Sequence, residues 1–340
     1  MPIVSIVMGV HNERDEHLRM ALDSICNQTY KEIEVIVVDD CSNSECKHIL
    51  SEYACKHNNI RIIHNEVNLG LTKSLNIGIC QSTGEFIARM DADDYSVPTR
   101  IEKQVHFLID NPDIDICGTG VVSFGDSNVY MSPINGLTND EAQCYLFFSS
   151  TLCHPSVMLR KSFLERHNLS YDETVKCGQD YDLWERASVV GKFTVLKEVL
   201  LFYRLHAHQI TSTHKHEQDF YSDQTRLRRL SRLNIVPTES EYACHMLLVS
   251  GKDRSIPVQS VESWVNRIID ANNLIGLVDN AALEKELRER LVVYKIRNHH
   301  FSRLLTFNDF RSVVAVSLAR IKMKQSIKRE LNKFNELTYC

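Results

Sequence analysis

Over its first hundred residues the chain alternates short apolar runs with stretches of helical spacing. Residues 3–9 are a β-branched apolar run ending at Gly9, which predicts a buried first strand. Residues 15–28 place Leu18, Ala21, Leu22 and Ile25 on one helical face. A second run at 33–38 predicts another buried strand. It stops at Asp39 and Asp40, and Ser42 and Asn43 then suit a loop and a helix cap. A helix to about residue 57, a strand at 60–64, a turn at Asn68-Leu69-Gly70, a helix over about 71–80 and a strand from Glu85 to Met90 follow. From about 98 to 205 strands and helices are mixed. Beyond about 214 the pattern turns helical, over 214–232, 259–274, 280–297 and 308–333, with few glycines and many Leu, Arg, Lys and Glu positions.

This alternation predicts an α/β fold, with a mostly parallel sheet flanked by helices and a C-terminal helical extension. Ligands of such sheets bind outside the carboxyl ends of the strands. Both acidic clusters, Asp39-Asp40 and Asp91 to Asp94, fall at such ends and can line one crevice. No internal repeat or low-complexity tract is visible. Residues 251–257 (Gly-Lys-Asp-Arg-Ser-Ile-Pro) are the best interior linker candidate.

A length of 340 residues allows two domains, or one large domain with an appendage. An apolar share of 43% is enough to bury a sizeable core. The net charge of −5 removes bulk basicity as an argument for nucleic acid, and no nucleic-acid partner is expected. The eleven cysteines contain no C-x-x-C pair, which argues against zinc ribbons and thioredoxin chemistry, and unpaired thiols fit a reducing compartment. The N-terminal run carries no basic n-region, and no segment offers 18 uncharged apolar residues. A cytoplasmic location is the expectation.

The richest chemistry lies in Asp91-Ala92-Asp93-Asp94, where three carboxylates crowd within four residues. Their mutual repulsion invites a cation, and hard oxygen ligands favour Mg²⁺ or Mn²⁺ shared with substrate phosphates. The plainer alternative is a solvated loop in which Asp94 caps the helix near Pro98. Against it stands the apolar strand Phe86 to Met90, which delivers all three acids to the ligand edge of the sheet.

Taken in order, residues 5–12 (Ser-Ile-Val-Met-Gly-Val-His-Asn), 37–42 (Val-Val-Asp-Asp-Cys-Ser), Asn68-Leu69-Gly70 and 90–94 (Met-Asp-Ala-Asp-Asp) with Pro98 resemble the inverting family 2 glycosyltransferases, including those that build bacterial O-antigen and capsule. The resemblance covers roughly residues 3–212. It implies the GT-A fold for residues 1–212 and leaves 213–340 as a helical C-terminal region. It further implies a nucleotide-sugar site including Val10, Asn12, Asp39, Asp40, Asn68, Lys73, Asp91, Ala92 and Arg204, with Asp40 on the base and Lys73 near a phosphate. By the same resemblance Asp93 ligates the metal, and His206 stands against the metal and the diphosphate. Residues 177–184 (Cys-Gly-Gln-Asp-Tyr-Asp-Leu-Trp) resemble the family's Glu-Asp-x-Asp-Leu-Trp motif, which makes Asp180 the catalytic base. Gln179 stands where the family usually has Glu, a departure that bears on the acceptor contact or on the tuning of the base. His154, Gln179 and Trp184 are candidate acceptor contacts, with Trp184 equally readable as core. Asp182 reads as structural, favoured by the helix dipole. A UDP-sugar donor and a saccharide or polyprenyl diphosphate-linked saccharide acceptor complete the expectation.

Residues 318–333 carry six basic residues and one acid among apolar positions at near-helical spacing. They read either as a solvated face or as a helix on an anionic bilayer surface, at the inner face of the cytoplasmic membrane. The C-terminal helices could also supply a homo-oligomer interface. Histidines at 206, 208, 214 and 216 could suggest zinc, but no cysteine accompanies them at ligand spacing. Competing functions are a nucleotide-sugar-binding protein without turnover, a nucleotidyltransferase and a phosphodiesterase. Residues 8–14 lack the Gly-rich basic loop of a nucleotidyltransferase, and G-x-G-x-x-G is missing after the first strand, which excludes a dinucleotide dehydrogenase.

Overall fold

The computed structural model describes residues 1–125, 132, 134–206, 215–251, 255–297 and 326–338. The near-continuous apolar runs become central strands because both faces of the sheet are covered by helices. Strands β1 (Val4–Val10), β2 (Ile33–Asp39), β3 (Ile60–His64) and β4 (Phe86–Met90) lie in the order β3-β2-β1-β4, all parallel. Beyond β4 the sheet mixes direction. The short β7 (Met158–Arg160) pairs antiparallel with both β4 and β6 (Ile116–Gly125). Strand β6 pairs parallel with β8 (Phe193–Leu205), and β5 (Tyr95–Ser96) closes the edge antiparallel to β8. The register sets Val10 opposite Asp39 and Met8 opposite Met90. Both acidic clusters therefore leave the sheet at the same edge.

Helices α1 (Asp15–Cys26), α2 (Ser44–Lys56), α3 (Leu71–Cys80) and α4 (Arg100–Asp110) fall close to the expected boundaries. The Asn43 side chain accepts the Cys46 N–H and caps α2, satisfying one orphan donor of the first turn. Helix α3 starts from Gly70 at φ +86°, a left-handed conformation that glycine adopts at no steric cost. Further on lie α5 (Asn139–Tyr145), α6 (Lys161–Arg166) and α7 (Gln179–Ala187).

The C-terminal region folds as α8 (Lys215–Ser231), α9 (Glu239–Ser250), α10 (Val258–Ile275) and α11 (Asn280–Arg297), with a final helix α12 over 326–338. Helix α9 escapes the periodicity reading because apolar residues such as Ala243, Cys244 and Met246 to Val249 surround it instead of forming one stripe. The cue that finds it is the capping box, in which Thr238 and Glu241 exchange hydrogen bonds across the first turn. The described ends of the expected linker at 251–257 adjoin two helices of one core. Gly251 ends α9 in the left-handed region, Pro257 opens α10, and both helices share one core; residues 252–254 lie outside the described residues.

One core layer packs β1, β2 and β4 against α1, α2 and α4. On the opposite face Val7, Leu75, Ile87, Leu159, Trp184 and Phe193 pack together. The helical core of α8 to α11 takes in Cys144, Phe147 and Phe148, so it reaches back across the expected boundary at residue 212. A fourth cluster seats Phe334 of α12 among Tyr95, Phe124 and Phe202 at the β5–β8 edge.

Candidate active site

The turn after β2 is built around Asp40. Its carboxylate accepts the Leu69 and Gly70 N–H groups at 2.8 and 2.7 Å, and the Asn65 amide at 2.8 Å. The turn that launches α3 is thereby pulled onto the end of β2. His11 sits across it. Its Nδ1 donates to the Asp40 carbonyl at 2.7 Å, which leaves Nε2 to accept the side-chain amides of Asn12 at 3.1 Å and Asn68 at 3.0 Å. Asn12 adopts φ +51° and its Oδ1 accepts the Asn43 N–H at 2.8 Å. Val10 is buried and its carbonyl accepts the Asp40 N–H. Asp40, Asn12 and Asn68 thus meet at one rim, as the sequence led one to expect.

Asp39 faces the other way. It is 0% exposed, with one oxygen on the Ser42 N–H and the other on His64. Burial alone would raise its carboxyl, but the Ser42 and His64 contacts hold it below the usual range. Its expected place in the nucleotide site is corrected: it has no exposed surface, and it fixes the β2–α2 turn. Lys73 is exposed on α3, 4.0 Å from the Glu173 carboxylate.

Asp91, Asp93 and Asp94 bring one oxygen each within 4.8 Å of one another. Arg89, a cation inside the apolar strand β4 and itself buried, pairs with Asp91. Asp93 Oδ2 lies 2.9 Å from His206 Nε2, which β8 delivers as it ends. Asp94 is fully buried and accepts the Arg204 N–H at 2.8 Å; the N-cap position of α4 is Thr99, so Asp94 does not cap that helix. Arg204 is half-buried and braces the loop from beneath. Its Nε donates to the Asp93 carbonyl at 2.7 Å, and its guanidinium lies 4.4 Å over the Phe124 ring. Ala92 is buried between the acids.

Burial, then the charge on Asp91, pushes Asp93 up to about 6. Burial, then Asp93 and Asp91, raises Asp94 well above the carboxylate range. A cluster of hard oxygens under this strain of like charge fits a divalent cation, whose charge would restore the ionised forms.

Across the site, Gly178 turns into α7 at φ +74° and puts Gln179 and Asp180 in the first helical turn. Asp180 is half-buried and accepts the Ser150 hydroxyl at 3.1 Å. Burial raises its carboxyl above the ordinary value, and the Tyr181 N–H and Ser150 offset only part of that. Burial, then the charges of Asp94, Asp91 and Asp180, raises the Cys153 thiol, so the acidic loop and Asp180 both lie near that residue. His154 Nε2 lies 2.7 Å from the Tyr171 hydroxyl, and burial followed by Arg89 holds the imidazole neutral. Gln179 is buried beside Asp180. Trp184 is 0% exposed, packed in the core with its ring 6.3 Å edge-on from His154. Its reading as an acceptor platform is corrected, since it offers an acceptor no surface. Asp182 pairs with Arg186 and Arg228, which agrees with its structural reading.

Sequence reading assigned no role to His11, Arg89, Ser150 or Tyr171. Only Arg89 announces itself, as the one charge within an otherwise apolar strand. His208 and His214 of the zinc alternative lie outside the described residues; among the described residues the acidic trio is the cluster with metal-ligand geometry.

A GT-A α/β sheet with an acidic loop at its carboxyl edge defines the class, and residues 5–168 match the glycosyl transferase family 2 description. The chain belongs to that family. It is 35% identical over 208 residues to an uncharacterized glycosyltransferase of Methanocaldococcus jannaschii, covering 60% of this chain and 71% of that one. It is 30% identical over 216 residues to the O-antigen biosynthesis glycosyltransferase WbnJ of Escherichia coli, covering 61% and 81%. In fold it is similar to TarS 1–349 of S. aureus solved with UDP, at TM-score 0.57 and 18% identity, over 90% of this chain and 93% of that one.

Proposed function

We propose that this protein is an inverting, metal-dependent glycosyltransferase that moves a hexose or N-acetylhexosamine from a UDP-sugar to a hydroxyl of a saccharide acceptor carried on a polyprenyl diphosphate, in surface polysaccharide synthesis. The observation that carries this reading is the crowded Asp91-Asp93-Asp94 loop at the carboxyl edge of the sheet, with the half-buried Asp180 on α7 held by Ser150 nearby. Support for the nucleotide and the pathway comes from similar proteins: TarS was solved with UDP and with UDP-GlcNAc, and WbnJ acts in O-antigen biosynthesis.

The rim of Asp40, Asn12 and Asn68 holds the base and ribose of the donor. Asp93 and Asp91, with His206, hold Mg²⁺ or Mn²⁺, which when bound offsets charge developing on the departing diphosphate. Asp180 takes the proton from the acceptor hydroxyl as that oxygen attacks the anomeric carbon. The new C–O bond forms as the bond to the diphosphate breaks on the opposite face, so configuration inverts in one displacement. A carboxyl raised by burial suits this task, because it makes Asp180 a better proton acceptor than an ordinary aspartate. His154, kept neutral, and Tyr171 line the acceptor side. The basic segment 318–333 makes peripheral contact with the anionic inner face of the membrane; its first part, 318–325, lies outside the described residues, and the rest belongs to α12.

The test is to incubate the protein with Mn²⁺ or Mg²⁺ and a panel of UDP-, GDP- and dTDP-sugars, with and without a lipid-diphosphate saccharide, and to measure released nucleoside diphosphate. Metal-dependent release from UDP-sugar, raised by acceptor, is the expected result. Binding without release across a broad acceptor set would favour a nucleotide-sugar-binding protein.

A further inference from the structure

Helix α8 carries Arg226, Arg228 and Arg229, with Arg232 just past its end, and all four are directed at other parts of the chain. Arg228 forks across α7. Its Nη2 donates to Asp182 Oδ1 at 2.7 Å and its Nε to Glu185 Oε2 at 2.5 Å. Arg232 holds the other oxygen of Glu185 through its Nε. Glu185 is 0% exposed and Asp182 2% exposed, so both acids are desolvated while the two guanidinium groups keep part of their surface. Arg226 and Arg229 grip α5 and the segment after it, and Arg229 also reaches the end of α7. Arg226 Nε donates to the Phe148 carbonyl at 2.8 Å. Arg229 reaches the Gln143 carbonyl at 3.0 Å, the Gln143 amide oxygen at 2.9 Å and the Ser188 hydroxyl at 2.8 Å.

These two segments are the ones that meet at the base. Helix α7 carries Asp180 in its first turn, and Ser150, two residues after Phe148, is the hydroxyl that donates to it. The chain also reaches α8 from β8, whose end delivers His206 to Asp93. One helix of the C-terminal region therefore stands at the junction between the acidic loop and both parts of the base.

We infer that Arg228, seconded by Arg232, is a positioning residue for the transfer step, and that α8 acts as a clamp setting Asp180 against Ser150 and the acceptor. The inference rests on the reading of Asp180 as the base. Asp182 and Glu185 sit at successive turns of α7, so a guanidinium bridging both fixes the rotation and the axial position of that helix at once. A point charge such as lysine cannot do so.

The test uses the full chain, a UDP-sugar turned over in the panel assay and its acceptor, with Arg228→Met, Arg228→Lys and Asp180→Asn compared. Arg228→Met is expected to lower kcat for transfer about 10–100-fold, the scale of a misplaced catalytic group, with donor KM unchanged. Arg228→Lys, which keeps the charge without the fork, is expected to recover little, and it also covers the case in which the methionine variant fails to fold. The double variant Asp180→Asn/Arg228→Met is expected to be no slower than Asp180→Asn alone, because Arg228 acts through Asp180. Wild-type kcat in a folded Arg228→Met or Arg228→Lys, a fall in donor affinity matching the fall in kcat, or additive losses in the double variant would each overturn the clamp. Full turnover by Asp180→Asn would instead overturn the assignment of the base, and the clamp with it.

Discussion

Asp180 and Trp184 lie four residues apart on α7, and their environments separate them. Asp180 is half-buried with its carboxyl raised by burial; Trp184 is sealed in the core. Asp180→Asn should therefore keep donor binding, read by calorimetry, and lose about 10²–10⁴-fold in turnover. In the wild type, kcat should fall as pH drops through a value above that of an ordinary aspartate, because the base must be ionised to take a proton. Trp184→Ala should instead unfold the protein more readily, by about 3–5 kcal/mol in denaturant melts, the usual scale for emptying a large buried aromatic. At this scale the crowding of Asp91, Asp93 and Asp94 was legible in their spacing, while Asp180 was reached only through the resemblance of residues 177–184. The burial of Asp39 was not legible, because facing inward or outward at a strand end is decided by a partner distant in sequence, here His64.

Elements were read best where periodicity was clean. β1 to β4 and α1 to α3 came out within a few residues of expectation because each is either a buried run or a one-sided helix. α9 was missed for want of a single apolar stripe, although its capping box was written in Thr238 and Glu241. The α7–α8 pairing is also an element-scale property, and it carries its own pH signature. Burial alone would raise Glu185, but Arg232 and Arg228 hold its folded pKa below the ordinary value. Its stabilisation is then fully present above the unfolded glutamate value and is lost as pH falls through the depressed folded one. Glu185→Gln should accordingly melt at lower temperature than the wild type near neutral pH, and the gap should narrow in acid. A gap that stayed constant down to the lowest pH at which the protein folds would remove the charge from the explanation.

For the molecule as a whole, the family match ends at residue 168, yet Asp180, His206 and α8 all lie beyond it. The helical region shares its core with Phe147 and Phe148 and so is built into the catalytic half. No described helix is long and apolar enough to cross a membrane, and the proposed membrane contact rests on the basic segment 318–333 alone. Removing residues 310–340 should lower binding to anionic liposomes in a sedimentation assay while leaving neutral liposomes unaffected; unchanged binding would dismiss the membrane contact.

That same removal would also take away Phe334, whose ring lies 4.5 Å from Phe202 and 4.6 Å from Phe124 on the edge behind the acidic loop. A ribosome lays down Phe124 and Phe202 early and Phe334 near the end of the sequence. At roughly 5–20 residues per second, on the order of ten seconds pass in between. During that interval the aromatic edge of the sheet lacks the cover that Phe334 gives it, so the growing chain presents an apolar edge that a chaperone would find.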